Sequence, residues 1–102
     1  GEKTPIHDPL ARGTFTGLGL HHGPGHMWRS MLEGVAFGIR HHMEVFADIG
    51  MPATRVMASD GGSASSVWLQ IIADVLAALS NPCLATLVPA LEQHGWRRLA
   101  VV

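Results

Sequence analysis

Cysteine is almost missing from this chain: Cys83 is the only one in 102 residues. No intrachain disulfide can form, which fits a reducing compartment and a thiol that is buried by default. Long apolar runs are missing as well. No segment offers the roughly 18 uninterrupted apolar residues of a membrane-spanning helix, and the polar start GEKTP lacks the apolar core of a secretory signal. Charge is scarce, with Asp, Glu, Lys and Arg at 15% against about 25% in an ordinary soluble domain. Much of the surface is therefore expected to face other protein, a second copy of the chain included. What charge exists nearly cancels, to a formal net charge of -1, and forms no basic run, so neither nucleic acid nor an anionic membrane is the expected partner. These absences describe a cytosolic protein whose partner is not selected by bulk charge. A start at glycine, inside what reads as a loop, also predicts that upstream sequence is missing.

What is present suits a packed globular chain: hydrophobic residues make up 47% of 10.9 kDa, enough for one small domain or a piece of a larger one. The chain is organised around residues 59–74, SDGGSASSVWLQIIAD. Before this stretch, residues 55–58 form a short, partly β-branched run bounded by turn-formers, which predicts a buried strand. Asp60, Gly61 and Gly62 make the turn. From there Val67, Trp68, Ile71, Ile72, Val75, Leu76 and Leu79 recur at helical spacing, with Ser63, Ser65 or Ser66 available as the cap. A strand, a glycine turn and a helix start present backbone N–H groups and a positive dipole end, which suit phosphate or the polar edge of a nucleotide. The plainer reading is that the glycines only turn the chain. Neither the lysine of a P-loop nor the third glycine of a dinucleotide fingerprint is present.

Residues 1–13, with two prolines and no sustained period, read as a locally tied loop, and Thr14, Phe15 and Thr16 as a short strand. Pro24 is well suited to a helix start. The long helix after it carries Trp28, Met31, Leu32, Val35, Ile39, Met43 and Phe46 on one stripe and stops at Gly50 and Pro52. Gly34 and Gly38 cost that helix roughly 1 kcal/mol each relative to alanine, so they are expected to admit another backbone at close range. The two helices are expected to meet through Val35, Ile39, Ile71 and Val75 around the strand. Beyond Pro82, residues 84–91 suggest a short helix and 98–102 a short strand. The order helix, strand, helix is an α/β signature.

Seven histidines raise a metal-binding alternative, and His22 and His26 are spaced four apart, but Gly23, Pro24 and Gly25 between them oppose a regular helical pair. His41 and His42 read as solvated. Gln70 and Asp74 share the polar side of the second helix and can bond each other. Trp28 and Trp68, each within an apolar stripe, read as core. No nucleophile, base and orienter can be assembled from these residues.

Several ordered motifs resemble the FGGY carbohydrate kinases over roughly residues 1–76. GEKTPIHDPLARGTFTGL is similar to that family's GERTP, DP, ARG and a short strand closed by GL; MLEGVAFGIR resembles its LEGVAFxLR; SDGGSASSVWLQIIADVL resembles its nucleotide motif of glycines, a Ser or Asn, W or F, then Q and AD. The resemblance implies part of the C-terminal actin-like (ribonuclease H-like) ATPase domain of a kinase that joins Mg-ATP to a sugar hydroxyl by way of an aspartate base. Carried over by position, Gly61, Gly62 and Ser63 would lie along the nucleotide and Ser66 near the adenine, with Mg²⁺ and ATP as cofactors. The family's N-terminal domain, its Asp-x-Gly-Thr phosphate segment and its catalytic aspartate would precede everything present here, so this chain alone is not expected to turn over. Lys3 stands where the family has Arg, keeping charge but changing hydrogen-bonding geometry. Residues 77–102 do not follow the family pattern, as a truncated or frame-altered product would not. The GEKTP segment leans the implied substrate toward pentuloses such as xylulose. The rival from another class is a non-catalytic interaction domain, which predicts no nucleotide affinity.

Overall fold

A computed structural model describes residues 1–59, 61–77 and 87–89. In chain order it contains helix α1 (Pro24–Asp48), strand β1 (Val56–Ala58), a 3-10 helix (Gly61–Ala64), helix α2 (Ser66–Ala77) and strand β2 (Leu87–Pro89). The two strands pair in parallel, with Val56 opposite Leu87, Met57 opposite Val88 and Ala58 opposite Pro89. Parallel neighbours need a crossover, and α2 lies within it, giving a β-α-β unit. The α/β expectation is met in this small form.

The core forms on α2. Leu69, Ile71, Ile72, Ala73 and Leu76 are buried there, and Ala36 of α1 joins them. Leu32, Ile39 and Met43 of α1, Val56 and Ala58 of β1, and Trp68 and Val75 of α2 pack around this cluster. Each fully buried Leu or Ile side chain contributes roughly 1.5–3 kcal/mol, so α2 is where most of the apolar stabilisation accumulates. Its buried arc is wider than the expected stripe and takes in Leu69 and Ala73, because α1 and β1 both border it. Val67, expected on the stripe, is exposed. Gln70 donates to the Asp74 carboxylate at 2.7 Å on the opposite face, as the spacing predicts.

Helix α1 begins as its sequence directs. Pro24 occupies the first helical position, where its missing N–H costs nothing, and His26 Nδ1 accepts the Gly23 N–H at 3.1 Å. Its end is a Schellman turn: Gly50 adopts φ +79, its N–H reaches the Ala47 carbonyl at 3.0 Å, and the Met51 N–H reaches the Phe46 carbonyl at 2.8 Å.

The stripe on α1 divides. Leu32, Ile39 and Met43 face the core with Ala36, whereas Trp28, Met31, Val35 and Phe46 are exposed, Trp28 by 63% and Val35 by 57%. The expectations of a core Trp28 and of contact through Val35 are therefore corrected. At about 1.5 Å rise per residue, α2 spans roughly 18 Å and α1 roughly 38 Å, so α2 cannot cover the whole stripe. Gly34 and Gly38 are also corrected: among the described residues a Cβ built at either meets nothing within 4 Å.

Three further expectations change. Strand β1 is half-buried rather than buried, with Val56 and Ala58 toward the core and Met57 54% exposed. Residues 87–89, read as part of a short helix, are a strand, since a short apolar run takes its form from the edge it meets. Thr14, Phe15 and Thr16 form no strand, because among the described residues no edge pairs with them. The rest of the 84–91 reading, Leu79, Cys83 and the strand at 98–102 lie outside the described residues. Among the described residues no helix is long and apolar enough to cross a membrane.

Candidate functional site at the carboxyl end of β1

Because β1 and β2 run in parallel, the 3-10 helix Gly61–Ala64 sits just past the carboxyl end of β1 and leads into α2. In open α/β sheets this end is where ligands gather, since the strand-to-helix turns bring backbone N–H groups and helix dipoles together there. The turn is closed by the Ser65 N–H on the Gly62 carbonyl at 3.2 Å, and the Leu69 N–H on the Ser65 carbonyl at 3.0 Å starts α2. Ser65 is the cap among the three serines: its Oγ accepts the Trp68 N–H at 3.2 Å. No acidic residue stands in the first turn of α2 to offset its dipole.

Of the four residues singled out for the nucleotide, Gly61, Gly62 and Ser63 fall on this single turn, and Ser66 is the first residue of α2. Gly61, Gly62 and Ser66 are exposed and Ser63 is half-buried. The two glycines differ. Among the described residues a Cβ at Gly61 would meet nothing within 4 Å, whereas at Gly62 it would come 3.1 Å from Trp68 Nε1 and 3.3 Å from Trp68 Cδ1. Neither glycine has a positive φ, so no left-handed backbone accounts for them. The turn thus offers open space beside the backbone at Gly61 and, at Gly62, a backbone whose added Cβ would crowd the Trp68 indole.

A cleft of about 1180 Å³ lies elsewhere, between the N-terminal segment and α1, lined by residues that include Phe15, Leu18, Arg29, Glu33, Gly34 and His42. None of the turn residues borders it. Several of its polar groups are already engaged. Arg29 Nε donates to Glu33 at 2.7 Å, and His22 Nδ1 accepts the Gly19 N–H at 2.8 Å. His42 Nδ1 bonds the Gly38 carbonyl at 2.7 Å, and its Nε2 bonds Thr4 Oγ1. His42, expected to be solvated, instead ties the N-terminal segment to α1. With few polar groups left to converge, this cleft is the weaker candidate. Among the described residues no group of three or more His, Cys, Asp or Glu could hold a metal ion.

Two contacts could not be read from the chain: Trp68 over Gly62 depends on the path of the turn, and Thr4 on His42 joins residues 38 apart.

Residues 1–80 match the model of the FGGY family of carbohydrate kinases, C-terminal domain. The chain is 39% identical over 75 residues to the xylulose kinase of Escherichia coli K12, covering 74% of this chain and 16% of that protein. It is 36% identical over 76 residues to the gluconokinase of Bacillus subtilis, covering 74% of this chain and 15% of that one. A crystal structure of xylulose kinase from Rhodospirillum rubrum superposes with a TM-score of 0.64 at 57% identity, over 66% of this chain and 14% of that one. The chain thus spans about a sixth of the length of the relatives it matches.

Proposed function

The chain belongs to the FGGY family of carbohydrate kinases, and from that premise we propose that it contributes the adenosine side of the ATP site in a kinase that transfers the γ-phosphoryl group to a sugar hydroxyl. The observation that carries this reading is the exposed Gly61 backbone at the carboxyl end of a parallel strand pair, within the part of the chain that the family model covers. With no side chain at Gly61, a flat nucleoside can approach the main chain closely. Gly62 and Ser63 continue the same surface, and Ser66, exposed at the first turn of α2, offers a hydroxyl toward the adenine.

The enclosing domain is the partial actin-like ATPase fold of such kinases. Mg²⁺ would arrive with the ATP phosphates, and the base that accepts the sugar proton would stand on residues other than these. Phosphoryl transfer in a site of this type is achieved by positioning and charge neutralisation, so this chain's share is positional and it does not turn over alone. The relatives named above act on xylulose and gluconate by name; xylulose, or another pentulose, is the substrate we favour for the enclosing kinase, in the cytosol.

Calorimetric titration of the purified chain with Mg-ATP tests the reading. Saturable binding is expected, weakened at least tenfold by Gly61→Val, which is about 1.4 kcal/mol, with the unfolding midpoint unchanged because the new side chain enters open space. No saturable binding at millimolar ATP, or equal affinity in the folded variant, would leave the glycines as a plain turn.

A further inference from the structure

The Gly62 backbone and the Trp68 indole meet where any side chain at position 62 would crowd the ring. We propose that Trp68 is a positioning residue for the nucleotide turn, holding the Gly61–Ala64 backbone at a fixed height over the core so that Gly61 faces outward; this rests on the nucleotide reading above. Trp68 is fastened at both ends. Its backbone N–H donates to Ser65 Oγ at 3.2 Å, and its half-buried side chain packs against the cluster that includes Leu69, Ile72 and Leu76. The ring edge, at Nε1 and Cδ1, then lies against Gly62, 3.1 and 3.3 Å from where a Cβ would be.

An indole wedged between core and turn cannot swing aside without giving up its packing, so the turn takes its position from the core. The two glycines therefore serve different ends. Gly62 is glycine because even a Cβ there would crowd the indole and push the ring or the turn by a few tenths of an ångström, and Gly61 is glycine because its space is left for something else. A residue packed on the hydrophobic cluster thereby sets where the exposed backbone sits, without touching the ligand.

The test uses the whole chain, with Mg-ATP as the probe and the backbone amide resonances of Gly61, Gly62, Ser63 and Ala64 as the local readout. Trp68→Leu is expected to shift those four resonances before any nucleotide is added, to leave those of Arg29 and Glu33 on α1 in place, and to weaken ATP binding tenfold or more. Trp68→Phe, which keeps a ring against Gly62, is expected to restore affinity to within about threefold of the parent. Parental turn resonances and parental ATP affinity in a folded Trp68→Leu chain would overturn the inference while leaving the nucleotide reading standing. Absence of ATP binding in the parent chain would overturn the nucleotide reading and, with it, this one. If Trp68→Leu does not fold, Gly62→Ala presses the same contact from the other side: it is expected to weaken ATP binding at least threefold with Trp68 in place, and unchanged affinity there would overturn the inference.

Discussion

The two helices use their apolar residues in opposite ways. Helix α2, 12 residues long, buries Leu69, Ile71, Ile72, Ala73 and Leu76, while α1, 25 residues long, buries Ala36 alone and leaves Trp28, Met31, Val35 and Phe46 in the open. Both are amphipathic by spacing. The difference is in neighbours: α2 sits between α1 and the β1 strand, and α1 has α2 on one side and a broad cleft on the other. An apolar stripe thus states how much surface a helix can bury, and the elements around it decide how much it does.

The contrast is disrupted most severely through α2. Leu76 is 1% exposed, and Leu76→Ala is expected to cost about 2–5 kcal/mol by lost transfer energy and the cavity left behind. Val35→Ala on α1 should stay within about 0.5 kcal/mol, as an exposed change does. Equal losses in urea unfolding would mean that α1 is as enclosed as α2. Next in size is the end of α1. Gly50 has φ +79 in the Schellman turn, and Gly50→Ala should cost roughly 1–2 kcal/mol through the left-handed penalty; an unchanged thermal midpoint would show the turn to be absent in solution.

A smaller effect, on α1 itself, has the opposite sign. Gly34 lies inside α1 with open space where its Cβ would be, so Gly34→Ala should stabilise this chain by roughly 0.5–1 kcal/mol from helix propensity. Destabilisation on the same scale would reveal a neighbour packed on that face. The Gly50 and Gly34 substitutions are chemically identical, and only backbone angle and surroundings distinguish them.

Local signals in the chain were legible and tertiary ones were not. The start of α1 at Pro24, its stop at Gly50, a serine cap on α2 and the Gln70 to Asp74 bond all follow from residues within a turn of one another, though which of the three serines caps, Ser65, comes from the structure. Spacing rules do not reach a strand's partner edge: residues 14–16 alternate like a strand but meet no such edge among the described residues, and the run at 87–89 takes strand form from a β1 partner about 30 residues away. At the candidate site, the glycine turn is visible as a motif, but the different surroundings of Gly61 and Gly62 depend on where the Trp68 ring falls.

The proposed nucleotide role of the turn is tested most directly by an amide resonance map of the chain titrated with Mg-ATP, since the turn and the cleft beside α1 share no residues. Saturable shifts are expected to concentrate at Gly61, Gly62, Ser63 and Ser66, with Arg29, Glu33 and Gly34 unmoved. Saturable shifts at those cleft residues with a silent turn would contradict the adenosine role of Gly61 and Gly62.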